Sequence, residues 1–317
     1  GRLLAYAGAR YDTVRFRHRD FTAPPPGYAP GQMFDKTMSA LKPNAGLNYK
    51  LTPHLRAFVN YSESYFVPQS ENTAIVAEPT YKAETAGGWD YGFKGALLDD
   101  RLSFTVSGFY AVRENVLVTE VEEVPLGSGN YQTLSRRDGD QLVRGFEIDL
   151  NWRISPALSA GGSWGHVYSI YTDFGSAFPL SVGRRVQRIA PQNGGAYLKW
   201  APTAGRLRGF SANLGVTHMA ATPTEAPNAG DTYITAANGE RVLQRTTYQW
   251  RLRIPSYTLW NVGARYRLSG GGSGYDHTFG VNVNNLFDAD YVRANRLLGE
   301  KRAVYFTYSL TRTPGRR

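Results

Sequence analysis

The 317-residue sequence has no cysteine, which excludes disulfide frameworks and thiolate metal sites and leaves the compartment open. It also has no run approaching the roughly 18 apolar residues that a membrane-spanning helix needs, although 42% of its residues are hydrophobic. Passage through a membrane as helices is therefore excluded. Passage as strands is not, because alternation dilutes the apolar signal of a barrel strand. Acidic residues are outnumbered, 26 against 36 basic, for a formal charge of +10. Such an excess suits an anionic partner, and a solvated basic surface produces it equally well. No RNA-recognition, zinc-finger or basic-helix pattern accompanies the charge, so nucleic acid is not expected as a partner. The opening stretch GRLLAYAGARYD lacks a charged segment followed by an apolar core, the mark of a secretory leader. It begins as if inside a strand, so a fragment or processed piece is expected.

Aromatic residues and glycine are abundant, with 21 Tyr, 15 Phe, 6 Trp and 34 Gly, and they fall in a period of two. Near the end, Trp260, Val262, Ala264, Tyr266 and Leu268 alternate with Asn261, Gly263, Arg265 and Arg267. Phe279, Val281 and Val283 alternate with Gly280, Asn282 and Asn284, and Val304, Phe306, Tyr308 and Leu310 with Tyr305, Thr307 and Ser309. Each segment has one greasy and one polar face, as in an antiparallel sheet with one side in an apolar medium. The same reading predicts twelve strands, at 2–16, 38–51, 54–66, 85–97, 101–119, 142–153, 157–171, 192–201, 207–220, 257–268, 275–286 and 301–311. The apolar set includes Leu47, Val59, Tyr91, Phe104 and Ile148. Its alternates include Lys50, Arg56, Asn60, Asp90, Lys94, Glu147 and Asp149.

The connections separate a soluble sandwich from a membrane barrel. Short links (LTPH, LLDD, ISPA, APTAGR, SGGGSG) alternate with long ones at 17–37, 67–84, 120–141, 172–191, 221–256 and 287–300. Outer-membrane barrels produce this rhythm, with short periplasmic turns on one rim and long external loops on the other. A sandwich has no reason to sustain it. The fold expected is all-β, a transmembrane antiparallel barrel.

Catalytic motifs dissolve on inspection. Gly161-Gly162-Ser163-Trp164-Gly165 matches a nucleophile elbow, but no helical period follows it. The five histidines, His18, His54, His166, His218 and His277, have no metal-ligand spacing. Glu147 and Asp149 share one strand face and are read as lumen-lining carboxylates with Arg144 as a partner. Arginine collects in the long links: Arg136 and Arg137, Arg184, Arg185 and Arg188, Arg245, and Arg293 and Arg296. If those links share a rim they form a cationic mouth, which could collect anionic chelates or hold lipopolysaccharide phosphates through bidentate contacts.

The segment VNVNNLFDADYV, carried by Asn285, Leu286, Phe287, Asp288 and Tyr291 and followed by a last alternating strand, resembles the C-terminal end of TonB-dependent outer-membrane receptors. The stretches Gly8–Asp12, Lys42–Ser70, Trp89–Gly95, Arg101–Tyr110 and Arg144–Ser159 resemble the same family's strands in the same order, nearest its siderophore-receptor branch. Two departures stand out. Trp89-Asp90-Tyr91-Gly92-Phe93-Lys94 stands where the family usually reads Tyr-Glu-x-Gly-x-Lys, and the chain runs on past Thr311 to Arg317 where the family usually stops on an aromatic residue. The resemblance implies that residues 1–317 are a partial barrel domain, roughly the last twelve strands of a 22-stranded barrel, without the plug domain and TonB box. It further implies a transporter, not an enzyme, in the outer membrane of a Gram-negative bacterium. No cofactor is implied. The cargo would be a scarce nutrient, most often a ferric siderophore, carried as an anionic ferric chelate. Partners would be outer-membrane lipid, lipopolysaccharide and, through the plug, the TonB system. The alternatives are a complete twelve-stranded pore, an outer-membrane hydrolase and a soluble binding sandwich.

Overall fold

A computed structural model describes the chain apart from residues 20, 22–28, 67–81, 124–130, 175–180, 225–230, 236–240, 247–252, 270–273, 294–296 and 313–317; side chains are described outside 118–138 and 225–252 as well. Twelve strands form one antiparallel sheet in chain order: β1 (Leu3–Arg19), β2 (Met33–Lys50), β3 (Leu55–Phe66), β4 (Glu84–Leu97), β5 (Leu102–Glu123), β6 (Tyr131–Arg153), β7 (Leu158–Phe174), β8 (Gln192–Trp200), β9 (Phe210–Met219), β14 (Tyr257–Ser269), β15 (Tyr275–Asn284) and β16 (Ala303–Arg312). Each of the twelve expected strands is present, and each pairs with its neighbour in sequence. Two small ribbons stand apart, β10 (Thr222–Pro223) with β13 (Arg253–Ile254) and β11 (Asp231–Thr235) with β12 (Arg241–Thr246).

The register turns the alternation of each strand into two continuous faces, because directly opposed residues point to the same side. On one face Ala5 opposes Leu47, Leu47 opposes Val59, Val59 opposes Tyr91 and Phe93 opposes Val106. The series continues through Phe104 and Leu150, Ile148 and Trp164, Ala160 and Leu198, and Leu198 and Leu214. It ends through Leu214 and Val262, Val262 and Val283, and Val281 and Phe306. No strand interrupts the apolar face. On the other face Lys50 opposes Arg56, Asn60 opposes Asp90, Thr105 opposes Asp149, Lys199 opposes Asn213 and Gly263 opposes Asn282. Among the described residues the buried apolar cluster is small, Tyr171, Phe174 and Val186 with Ile189 packed against it. The large hydrophobic residues are mostly exposed, Phe306 at 82%. A sheet whose apolar face has no protein core against it takes lipid as its solvent.

Aromatic residues gather at the two borders of that face. At the short-turn border Phe210 opposes Tyr266, Tyr266 opposes Phe279 and Phe279 opposes Tyr308, with Trp200 in edge contact with Phe210 at 5.8 Å. At the other border Tyr61 lies 4.8 Å from Trp89, which opposes Tyr110. Arg144 to Trp152 on β6 spans these borders. Eight residues at about 3.3 Å each, tilted by about 40°, give a band about 20 Å tall, near the height of a barrel's lipid belt.

Among the described residues the short links close by local hydrogen bonds. Thr52 and Ser155 each precede a proline, and their hydroxyls accept the N–H of His54 at 3.2 Å and of Ala157 at 3.3 Å. The turn after β4 places Leu98, Asp99 and Asp100 all at positive φ, a conformation in which aspartate is tolerated and leucine is strained. On the opposite rim the strands run longer than expected. β2 begins at Met33, and β5 and β6 extend with 22 and 23 residues, so the long link read at 120–141 shortens to 124–130. The stretch 221–256, expected as one long link, contains the two ribbons. Both differences have one cause: strands extending past the roughly ten residues that cross a bilayer keep pairing in water but lose the lipid-imposed alternation that makes a strand legible.

The register places Phe104 between Gly95 and Leu150 on the lipid face and Ser103 between Ala96 and Asn151 on the polar face. An arginine on the lipid face costs about 2–4 kcal/mol at mid-bilayer and less toward the borders. Phe104→Arg is therefore expected to impair assembly far more than Ser103→Arg, read as loss of the heat-modifiable gel band in outer-membrane fractions.

Candidate functional site

Two regions carry polar chemistry in this architecture: the polar face, which lines the lumen, and the rim of long links. On the lumen face Lys50, Arg56 and Lys94 stand side by side on β2, β3 and β4. Like charges directly opposed across strands repel. None of the three forms an ion pair among the described residues, and the ammonium of Lys94 lies over the Phe58 ring at 5.3 Å. Farther along the same face Glu147 opposes Ser107 and Gly165, and Asp149 opposes Thr105 and Ser163. The sequence names these residues as alternates, but only the register brings the three cations into one row.

Ser163 lies inside the extended strand β7 with no turn beside it, so the elbow-like sequence is plain strand. His166 stacks on Phe146 at 5.7 Å and His218 on Trp164 at 5.8 Å, with His218 Nδ1 2.9 Å from Thr258 Oγ1. His277 lies on β15, its Nδ1 2.9 Å from the Tyr308 hydroxyl. Arg144 is not the partner of Glu147 and Asp149. It is an odd number of residues from both, so the pleat sends it to the opposite, outward face, where its guanidinium carbon sits 5.0 Å from the Tyr168 ring centre.

Among the described residues the rim arginines fall on different faces. Arg185 bridges Ile170 and stacks on Tyr168 at 4.2 Å, on the outward face. Its neighbour Val186 turns inward against Tyr171 and Phe174, and alternation puts Arg184 on that inner side too. Arg188, at φ 62°, is exposed and donates its backbone N–H to Pro223 at 2.9 Å. Arg293 approaches Glu300 at 3.9 Å. Arg136 and Arg137 lie in the extended part of β6 opposite Val118 and Leu117, and Arg245 lies in β12 opposite Thr232; their side chains, and all of Arg296, lie outside the described residues.

The Asn285–Tyr291 segment is a lock for the link between β15 and β16. Asn285, 4% exposed and at φ 50°, donates its side-chain amide to the carbonyls of Ala289 at 2.9 Å and Glu300 at 3.1 Å. Its side-chain oxygen accepts the Ala289 N–H at 2.9 Å, and its own backbone N–H donates to Asn261 Oδ1 at 3.0 Å. Asn tolerates positive φ and has both donor and acceptor, which no apolar residue could supply here. Leu286 donates its N–H to the Trp260 carbonyl at 2.7 Å, and Phe287 sits exposed beside the Trp260 ring at the membrane border. Asp288 accepts the Arg302 N–H at 2.7 Å. Tyr291 packs on Tyr257 at 4.7 Å and lies across Gly299, where an added Cβ would fall 2.1 Å from the ring. Gly299 and Asn261 are part of this lock and carry no motif signal, because their roles arise from contacts across the chain.

Asn285→Ala removes the partners of the N–H and C=O of half-buried Ala289 and of the C=O of exposed Glu300, and an unsatisfied buried group costs about 1–3 kcal/mol. The variant is expected to lower the midpoint of thermal unfolding, read by heat-modifiable mobility, while Phe287→Ala changes it less. The Arg302 N–H holds the Asp288 carboxyl below its usual range, with Lys301 and Arg302 charges adding to the effect. A depressed carboxyl stabilises the lock above its unfolded value of about 4 and loses that contribution as pH falls through the lower folded value. Hydrogen-exchange protection of the Arg302 amide, corrected for intrinsic rate, should therefore fall as the solution is acidified below pH ~4. In Asp288→Asn, whose amide oxygen still accepts, it should not follow pH.

The sequence model described as TonB dependent receptor-like, beta-barrel matches residues 1–286. The metal-pseudopaline receptor CntO of Pseudomonas aeruginosa is 25% identical over 256 residues, covering 81% of this chain and 30% of that protein. The ferric-pyoverdine 358 receptor of Pseudomonas putida is 22% identical over 263 residues, covering 83% and 27%. Among solved structures, the siderophore receptor PiuA from Acinetobacter baumannii superposes with a TM-score of 0.66 at 18% identity, over 97% of this chain and 40% of that one. The chain spans less than a third of the length of these curated relatives. A polar lumen face, an unbroken lipid face bordered by aromatic residues, and a family match over most of the chain agree: the chain belongs to the TonB-dependent receptor β-barrel family, a family of outer-membrane transport receptors rather than enzymes.

Proposed function

We propose that this chain supplies twelve strands of a wider receptor barrel that takes up a scarce metal as an anionic chelate, a ferric siderophore being the foremost cargo. Support for the wider barrel comes from the sheet itself. β1 and β16 are its two edges, each paired on one side only, and a bare edge in hydrocarbon leaves N–H and C=O groups unsatisfied at several kcal/mol each. Further strands on both edges would satisfy them. The greater length of the relatives supports the same reading, as does their naming for pseudopaline-bound metal and ferric pyoverdine. In this reading a plug occupies the lumen and links the cargo to the TonB system.

The observation that carries the choice of an anionic cargo is the row Lys50, Arg56 and Lys94 on the lumen face, three adjacent cations without a carboxylate partner among the described residues. A wet channel with low-dielectric walls focuses such charge and raises the local concentration of anions. At the rim Arg184, Arg188 and Arg293 would add to capture, where bidentate contact with carboxylate or phosphate is available.

In the complete receptor, supplied to cells that lack their own, Lys50→Gln, Arg56→Gln and Lys94→Gln together should slow growth on an anionic ferric chelate under iron limitation and spare growth on a neutral one. Neutralising Arg184, Arg188 and Arg293 should weaken capture more at low salt than at high, because exposed charges are screened over about 8–10 Å. Equal growth on both chelates in the lumen variant, at wild-type receptor levels, would remove the anionic cargo from the reading.

A further inference from the structure

On the inner face, cations without a carboxylate partner among the described residues gather at the short-link ends of their strands. Besides Lys50, Arg56 and Lys94 these are Arg153, the last residue of β6, Lys199, the last but one of β8, and Arg265 near the end of β14. Farther toward the long links Arg10 and Arg113, on the same face, are paired with Asp12 and Glu84. Between the two levels stand the carboxylates Asp90, Glu147 and Asp149. Along β4 and β6 the sign therefore changes in the same direction, from carboxylate to cation as the short links are approached.

Two of these cations flank one small residue. Arg153 and Lys199 are both directly opposed to Ser159 on β7, one from each side, so their backbones are two strand spacings apart, about 10 Å. Two long side chains leaning over a serine can close on a carboxylate or phosphate group, with the hydroxyl as a third donor. Asn213, opposed to Lys199 on its far side, adds an amide. Toward the long links the space is bounded by Tyr197, whose hydroxyl donates to Asn151 Oδ1 at 3.2 Å across Gly161, where an added Cβ would fall 2.7 Å from the ring. The frame is fixed by the backbone: Arg153 donates its N–H to the Arg101 carbonyl at 2.8 Å, the Ser155 hydroxyl accepts the Leu158 N–H at 3.1 Å, and Ala201 donates to Ala157 at 2.7 Å. Arg153 and Lys199 are thus held near each other without a counter-charge, and an anion between them would relieve the repulsion.

We propose that Arg153, Ser159 and Lys199 form a carboxylate-binding site on the lumen wall at its periplasmic end, where an anionic chelate is held as it leaves the barrel. The proposal rests on the reading of the cargo as an anionic chelate that passes through the lumen. Short links mark the periplasmic rim, so the site is separated from the rim of long links by the height of the membrane band and acts after capture. The change of sign along β4 and β6 gives the passage a direction, because an anion is disfavoured beside Glu147 and Asp149 and favoured beside Arg153 and Lys199.

The test uses the complete receptor, purified in mild detergent, with citrate as a tricarboxylate probe. Acetylation of Lys199 by an amine-reactive ester is followed by mass spectrometry, with Lys301, which is paired with Asp290, as the reference. Citrate should slow the acetylation of Lys199 in a saturable way, and chloride at matched ionic strength should not. Arg153→Gln should weaken the apparent affinity for citrate on the order of tenfold, as for the loss of a charge-assisted contact. Ser159→Asp, which sets a carboxylate between the two cations, should abolish the protection and serves if Arg153→Gln does not fold, as read by heat-modifiable mobility. In cells, Arg153→Gln should lower the initial rate of uptake of radiolabelled iron from the anionic chelate that supports growth, while binding of that chelate to de-energised cells stays unchanged. Protection by citrate no greater than by chloride, wild-type citrate affinity in the folded variants, or a Lys199 that stays unmodified with and without citrate would overturn the site. Unchanged uptake in folded Arg153→Gln would overturn its part in exit. Protection by citrate is read without transport, so failure of the site and failure of the anionic-cargo reading are separate results.

Discussion

A peptide group in hydrocarbon has no water to bond, so each N–H and C=O must find a partner in the protein. The whole chain is arranged under that constraint. The strands of the sheet follow one another in chain order, so every strand between its edges β1 and β16 is bonded on both sides. Once the ladders are set, the pleat leaves one side of each strand for lipid and one for water. The apolar and polar faces are then a consequence of pairing and register together, and a slip of β4 or β6 by one residue would put Lys94 or Asp149 into lipid.

The borders of the lipid face show how the same strands manage the transition to water. Tyr, Trp and Phe collect at both ends of the band, where a ring can be half in hydrocarbon and half out. Phe287 belongs to this border beside Trp260. The family segment from Asn285 to Tyr291 therefore serves two purposes, closing the link to β16 by hydrogen bonds and anchoring it at the interface.

Charge is divided by the same rule. The arginines that look alike in the sequence are sorted by the side of the strand on which they fall: Arg185 stacks on an outward tyrosine, whereas Val186 is packed inside. On the inner side Lys50, Arg56 and Lys94 are held together against their mutual repulsion by the backbone ladder. Positions that cost stability in this way are where a site for an opposite charge is to be sought.

The sequence by itself determined the number, order and type of the twelve membrane strands, the alternation of short and long links, and the two faces, because lipid on one side imposes a strict period of two that no tertiary contact overrides. It did not determine the extensions of β5 and β6 or the ribbons between Thr222 and Ile254, which pair in water, where that period is relaxed. It also misplaced Arg144: nearness in sequence to Glu147 suggested an ion pair, whereas an odd separation on a strand sends the two side chains to opposite faces. Only the tertiary structure decided the lock around Asn285, the joining of Arg144 and Arg185 on one ring, and the cationic row in the lumen. Each of these is made between strands, and the register that brings their members together is a property of paired strands and not of any one of them.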